Sequence, residues 1–489
     1  MKRLALAALA LLIATGASAK LSIMYPCSDG MVLQQNTECI VWGHASEGAA
    51  VSVVTSWNGR SYSAKTDAKG IWKVFVKTPA ASYTNYNIKV RGDGGSLTIK
   101  NVLIGEVWLA SGQSNMEMPI RGFDNCPVEG SAEVISGPSL KNKIRYFYVQ
   151  IYQPEEPQDD VHKTDGWLDV DSSTVGEMSA TAYFFARKVQ AMLDVPVGII
   201  SFPRGGAAVE SWLPKKVLAA WGDDVRKETV DQQTEWSQSY RIYNGMQRPI
   251  QGYTAKGFIW YQGCTNVGRA EQFEARMTEL IRLWREEDWR DTDRKMPFYM
   301  CEIAPYQYTG GQYEKAPALR QAQHNVASHV ENCEIIVTND LVYSYEKNNI
   351  HPCQKRQVGE RLAYLALHRD YGFTSIPCYS PVAVKATRPA SDGRMPRMMG
   401  GNVLLVEVEN CPHGINRLAE IEGLEVRAAD GVFIPVTEAY FNTGNKTLIV
   451  NCGSINEPSE IRYGWADFKP GNLKSVEGLP FAPFDLKVE

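Results

Sequence analysis

Histidine is scarce in this chain, with seven among 489 residues, so few side chains are available as a base near neutral pH. Long apolar runs are missing too. After the first twenty residues nothing approaches the roughly 18 apolar residues of a membrane helix, which excludes membrane insertion by that route. Charge of one sign is not in excess, with 51 Lys+Arg against 55 Asp+Glu and a net charge of −4. That leaves no electrostatic footprint for nucleic acid or an anionic membrane. There is no C-x-x-C pair, so no zinc spacing is suggested. Internal repeats and low-complexity stretches are absent. What is present is 44% apolar and 10% aromatic residues, in a chain long enough for several domains and a large core.

The first segment reads as an address. Lys2 and Arg3 precede an apolar run from Leu4 to Ile13, which ends in Ala17-Ser18-Ala19. A positive start, a short apolar middle and a small-x-small site describe a secretory signal peptide over 1–19, so an exported protein, periplasmic or extracellular, is expected. Ten cysteines in an oxidising destination give an expectation that some pair, although the spacing does not say which.

From 20 to 101, short alternating runs such as Cys39–Trp42, Val51–Val54 and Ile71–Val76 are punctuated by Asn58-Gly59, Lys69-Gly70 and Asp93-Gly94-Gly95. This pattern predicts an N-terminal β-sandwich domain. From 102 to 376, buried strands are expected at Val102–Ala110, Val195–Phe202, Gly257–Tyr261, Phe298–Ile303 and Glu334–Val337. Helical patterns lie between or after them, at Ala180–Leu193, Glu271–Trp289, Ala318–Val330 and Gln354–Arg369. Alternation of that kind predicts an α/β layer domain with a parallel sheet, whose chemistry sits beyond the carboxyl ends of the strands. Pro377, Pro381, Pro389 and Pro396 mark a linker region. The remainder, 377–489, with candidate strands Val403–Val408, Val432–Val436 and Thr447–Val450, predicts a C-terminal β-sandwich domain.

Four loops of the α/β segment carry chemistry-bearing residues. Ser111-Gly112-Gln113-Ser114-Asn115-Met116 follows the first strand directly. A serine at a strand-to-helix turn is either an N-cap or a nucleophile lifted above the sheet edge. Arg204-Gly205-Gly206 follows the second strand, and Gln262-Gly263-Cys264-Thr265-Asn266 the third. Glycine N–H groups and a side-chain amide are what a tetrahedral oxyanion requires, although each loop alone is an ordinary βα turn. Of the seven histidines only His351, in Asn348-Asn349-Ile350-His351-Pro352, lies in a loop that opens a helix, where it is either structural or a general base. Cys264 beside a histidine admits a cysteine-nucleophile reading, against packing in place of a polar residue. Glu117 and Glu210 admit a paired-carboxylate glycosidase, against first-turn acids placed by the helix dipole.

Taken in order, Ser114, Gly205–Gly206, Gln262 to Asn266 and His351 resemble the four blocks of the SGNH hydrolase superfamily. More narrowly, the chain resembles the sialate O-acetylesterase family. The likeness rests on Val107-Trp-Leu-Ala-Ser-Gly-Gln-Ser-Asn-Met116, on Gly205-Gly206 followed by Glu210-Ser211-Trp212, and on Trp260-Tyr-Gln-Gly263. It extends to Ile350-His351-Pro352 with Lys355 and Val358–Ala363, to Met31–Gln34, and to Gly478–Phe484.

The resemblance implies an SGNH-hydrolase-like three-layer parallel sheet flanked by the two β-sandwiches. It implies an acetyl ester hydrolase without metal or organic cofactor, acting on an O-acetylated sugar or glycan. Ser114 would be the nucleophile and His351 the base. The Ser114 N–H, Gly205 or Gly206, and an amide of Gln262 or Asn266 would form the oxyanion hole. Two positions depart from the family. Cys264 stands where an acid follows Gln-Gly, and Asn348 and Asn349 stand where an aspartate precedes the histidine. Orientation of His351 then falls to Asn348, Asn349, Asp340 or Glu346, or to a backbone carbonyl. Three functions remain open: esterase on sialic acid, esterase on plant polysaccharide such as xylan or xyloglucan, and an impaired glycan-binding protein of the same fold.

Overall fold

The structure is a computed structural model that describes residues 20–289, 295–308, 315–389 and 402–489. The expected signal peptide over 1–19 and the linker residue Pro396 lie outside the described residues.

Six parallel strands position the site: β1 (Gly95–Gly112), β2 (Ile144–Tyr148), β3 (Val197–Ser201), β4 (Gly257–Tyr261), β5 (Phe298–Cys301) and β6 (Cys333–Ile336). Across the sheet they run β2-β3-β1-β4-β5-β6, with Trp167–Asp169 added antiparallel at the β2 edge. β1 therefore has β3 on one side and β4 on the other, with Ser201 level with Ala110 and Tyr261 level with Gly112. The strand order reverses around β1, so a crevice opens at its carboxyl end, just where Ser114 follows.

Side chains alternate along each strand and feed two separate cores. Val107 and Leu109 face the core that contains Phe273, Met277 and Leu280 of α2 (Ala270–Leu283) and Leu319 and Val326 of α3 (Lys315–His329). Trp108 and Ala110 face the core of α1 (Ala180–Leu193) and α4 (Lys355–Asp370). Those two helices lie very close: a Cβ on Gly359 of α4 would stand 2.5 Å from the Thr181 carbonyl oxygen, so glycine is required.

The boundary expected at 101/102 falls inside a single strand. β1 is 18 residues long. Its first half pairs antiparallel with Ser82–Gly92, and its second half pairs with β3 and β4. Val32–Gln34 pairs parallel with it near the crossover, at Leu103 to Gly105. Ala50–Thr55 and Ser61–Lys65 extend the ladder beyond Ser82–Gly92, and a separate antiparallel sheet of Ser22–Ile23, Glu38–His44 and Ile71–Lys77 completes the N-terminal part. The C-terminal part holds two four-stranded antiparallel sheets around a third core. It docks through Arg320, whose guanidinium donates to the carbonyls of Ala466 (2.9 Å) and Asp467 (3.1 Å). Lys474 also reaches Asp340 at 2.7 Å.

β2 was not expected from the sequence. The expected pairing of cysteines is likewise corrected, because none of the ten forms a disulfide among the described residues. Nine are buried, and Cys126 is partly exposed with its thiol on Asn349 Oδ1 at 3.4 Å. Cys301 and Cys333 lie on adjacent strands, yet Cys301 is level with Ile336 and Cys333 with Phe298, three residues out of register. Among the described residues no helix is long and apolar enough to cross a membrane.

Candidate active site

The site begins where β1 meets β4. Gly112 has φ +132° and passes so close to β4 that a Cβ there would stand 2.2 Å from the Tyr261 carbonyl oxygen. The Gln113 amide then donates to that same oxygen at 2.8 Å. A single helical turn, Ser114–Glu117, follows and leaves Ser114 partly exposed at the sheet edge.

The other three loops are each tied to this turn. The Arg204 amide donates to the Gly112 carbonyl at 2.9 Å, which places Gly205 against Ser114. A Cβ on Gly205 would lie 3.3 Å from the Ser114 Cβ. The Gly263 amide donates to Gln113 Oε1 at 2.9 Å. Asn115 Nδ2 donates to the Ile350 carbonyl at 3.0 Å, and Lys355 Nζ donates to Asn115 Oδ1 at 2.8 Å. The structure thus brings Ser114, Gly205, Gly263 and His351 to one place by short polar links that all involve residues 112–115.

His351 is half-buried, with its ring set edge-on to Phe123 at 5.3 Å between centroids. Its Nε2 is buried without a hydrogen-bond partner, and Nδ1 lies 3.9 Å from the Cys126 sulfur. Burial, reinforced by the Lys355 ammonium, pushes its pKa down to about 4. Lys355 itself is pushed down to about 8 by burial. Among the described residues no hydrogen bond joins His351 to Ser114, and none joins its ring to a carboxylate.

The four expected orienting groups are placed otherwise. Asn349 Oδ1 accepts the backbone N–H of His351 (2.9 Å) and the Cys126 thiol (3.4 Å), not the ring. Asn348 is exposed. Asp340 is clasped by Arg361, with two contacts of 2.7 Å, and by Lys474; these cations outweigh burial and hold its carboxyl below the usual range. Glu346 caps the backbone N–H groups of Tyr343 (2.9 Å) and Cys353 (2.8 Å).

The expected oxyanion donors also differ from one another. Gln262 uses both amide protons on the Ala207 carbonyl (3.1 Å) and Asn266 Oδ1 (2.7 Å), so it braces the loop and has no proton left to donate. Asn266 accepts from Val209 N at 3.1 Å and gives one amide proton to Glu210 at 3.0 Å, which leaves its second amide proton without a partner among the described residues. The Gly205 amide donates to the Glu117 carboxylate. Burial raises the Glu117 carboxyl, partly offset by Gly205 and Arg204. Gly206 has φ +75° and lies beneath the Trp236 indole.

Two rival readings lose their geometric support. The Cys264 thiol is held protonated by burial, and the sulfur beside His351 is that of Cys126. Glu210 is buried in an ion-pair cluster with Arg269 (2.6 Å) and Arg276, which leaves no free carboxylate for a glycosidase pair. Phe123, Cys126 and Trp236 are residues that sequence reasoning missed. None stands in a recognisable motif, and Cys126 is 225 residues from its histidine neighbour. Glu117 and Phe123 also line a cleft of about 620 Å³ with Tyr148, Arg121 and Asp165.

Comparison with known proteins gives the family. A family model described as carbohydrate esterase, sialic acid-specific acetylesterase, matches residues 104–368. The chain is 26% identical to the mouse sialate O-acetylesterase, covering 89% of this chain and 87% of the relative. It is 27% identical to the human one, over 94% and 91% respectively. The crystal structure of a carbohydrate acetylesterase from Xanthomonas citri superposes with a TM-score of 0.80 at 29% identity, covering 95% of this chain and 99% of that one. The chain belongs to the sialic acid-specific acetylesterase family of carbohydrate esterases and is a carboxylic ester hydrolase.

Proposed function

We propose that this protein is an exported O-acetylesterase with an SGNH-type site, that it removes acetyl groups from sialic acid hydroxyls, and that Ser114 and His351 carry the reaction. The observation that carries the reading is the convergence of four loops on the turn at 112–115, with a partly exposed serine and a largely neutral histidine held at either end of the Asn115–Ile350 link. The name of the mammalian relatives supports sialic acid as the sugar. The leader-like segment at 1–19 supports export.

In this mechanism the Ser114 hydroxyl attacks the acetyl carbonyl carbon as His351 takes its proton. The oxyanion is held by the Ser114 N–H, by the Gly205 N–H once Glu117 releases it, and by the second amide proton of Asn266. Collapse breaks the carbon–oxygen bond to the sugar, and the imidazolium returns its proton to the leaving hydroxyl oxygen. Water, deprotonated by His351, then attacks the acetyl-serine; the bond to the Ser114 oxygen breaks, acetate leaves, and the imidazolium returns its proton to that oxygen.

A second reading, a glycan-binding protein with a weakened site, is favoured by one observation: no carboxylate is bonded to the His351 ring among the described residues. Loss of the triad carboxylate can lower turnover about 10⁴-fold. Acetate release from p-nitrophenyl acetate, O-acetylated sialic acid and acetylated xylan, compared with Ser114→Ala and His351→Ala, decides between them. Turnover by wild type alone supports the esterase and ranks its sugars. Equal inertness of all three proteins on every ester overturns it.

A further inference from the structure

Trp236 lies on the short turn Glu235–Ser237 and keeps 48% of its surface exposed. Trp221, the other exposed tryptophan, has Arg276 over its ring at 5.9 Å. Trp236 instead rests on the backbone of the second loop. A Cβ on Gly206 would lie 2.2 Å from its Cδ1, so the ring sits where only a glycine lets it. Gly205, the preceding residue, is the one packed against Ser114.

The turn that carries the ring is fixed to the same loop by two routes. Ala208 N donates to Ser237 Oγ at 3.1 Å, and Gln153 Nε2 donates to the Glu235 carbonyl at 2.7 Å. Arg204 Nε in turn donates to Gln153 Oε1 at 3.0 Å. An aromatic face is therefore preorganised one residue from the glycine that touches Ser114, with half its surface unused by packing.

We infer that Trp236 is the sugar platform of this site: its exposed face stacks on the apolar face of the pyranose that bears the acetyl ester and so selects carbohydrate esters over simple ones. This inference rests on the reading of Ser114 as nucleophile. Ring C–H groups of a pyranose against an indole π-face give the chemistry of recognition.

The test compares Trp236→Ala and Trp236→Phe with wild type on O-acetylated sialic acid, acetylated xylo-oligosaccharide and p-nitrophenyl acetate. For Trp236→Ala the ratio of sugar-ester to aryl-ester kcat/KM is expected to fall at least tenfold, through KM, and Trp236→Phe to recover most of it. A structural role alone would lower both esters in parallel and leave the ratio unchanged, which overturns the inference. Calorimetric titration of the same acetylated sugars into Ser114→Ala, with and without Trp236→Ala, reads binding apart from turnover. At least tenfold weaker binding supports the platform even if wild type proves inert, and equal affinity sinks it.

Discussion

The side-chain amide of Asn115 donates to the carbonyl of Ile350 at 3.0 Å, and so fastens the residue after Ser114 to the residue before His351. Its oxygen is filled in turn by the buried Lys355 ammonium at 2.8 Å. Two segments 235 residues apart are joined by one carboxamide.

Asn115→Ala therefore removes the clasp and leaves Ile350 O and one Lys355 proton unpaired in a buried place. A stability loss of about 1–3 kcal/mol is expected, read by denaturant unfolding. A fall of roughly 10²-fold in kcat with little change in KM is expected beside it, because reacting groups displaced by an ångström lose that much. Wild-type kcat in the variant would show that the two loops hold their positions without it.

The pH profile carries a sign. His351 is driven down to about 4 from an ordinary 6.5, so it is already neutral, and a competent base, throughout mildly acidic solution. The acid limb of kcat/KM, which reports the free enzyme, is expected near pH 4, with a plateau above about pH 5. The same shift means that the unfolded chain binds the proton more readily, so folding stability declines as pH falls from 6.5 towards 4. An acid limb near 6.5 would contradict the burial described for the ring.

Asn349→Asp puts a carboxylate two residues before His351, beside the sulfur that neighbours its Nδ1. An anion there is expected to raise the histidine pKa by about one to three units, moving the acid limb up in pH. It is also expected to raise kcat about tenfold or more, as an imidazolium partner is restored. An unmoved limb would mean that the position does not reach the ring.

Glu117 presents a carboxylate to the Gly205 amide that the oxyanion needs. Glu117→Gln keeps an acceptor for that N–H and removes the charge. Below the raised Glu117 pKa the wild-type side chain is neutral, and the two proteins are expected to match. As pH rises and Glu117 ionises, the variant is expected to become roughly tenfold faster in kcat/KM on p-nitrophenyl acetate, equivalent to about 1.4 kcal/mol of charge repulsion relieved. A uniform loss across the pH range would assign Glu117 to holding the loop.

The strands ending in Gly112, Ser201 and Tyr261 were legible because buried parallel strands write continuous apolar runs, and the loops after them carry glycine and serine at readable places. The strand Ile144–Tyr148 was missed because its five residues mix Arg145 into the run; that guanidinium is buried on Asp169 and on the carbonyls of Gly30 and Asn101, a compensation only the fold reveals. At the site, Gln262 and Asn266 were equivalent amides on paper. Which of them retains a proton depends on Ala207 and Glu210, far away in the chain. The cap of Gly206 by Trp236 was equally invisible, since ring and glycine stand 30 positions apart with the short helices Lys215–Ala220 and Lys227–Asp231 between them.

One consequence of the long strand β1 concerns melting. A strand whose front half is laddered to Ser82–Gly92 and whose back half is laddered to β3 and β4 has no free middle at which to part. Detaching the N-terminal sheets would tear the segment that delivers Ser114. The part from 20 to about 376 is expected to denature as a single cooperative body, while the C-terminal sheets, which have a core of their own, are the portion with a seam along which to come away first.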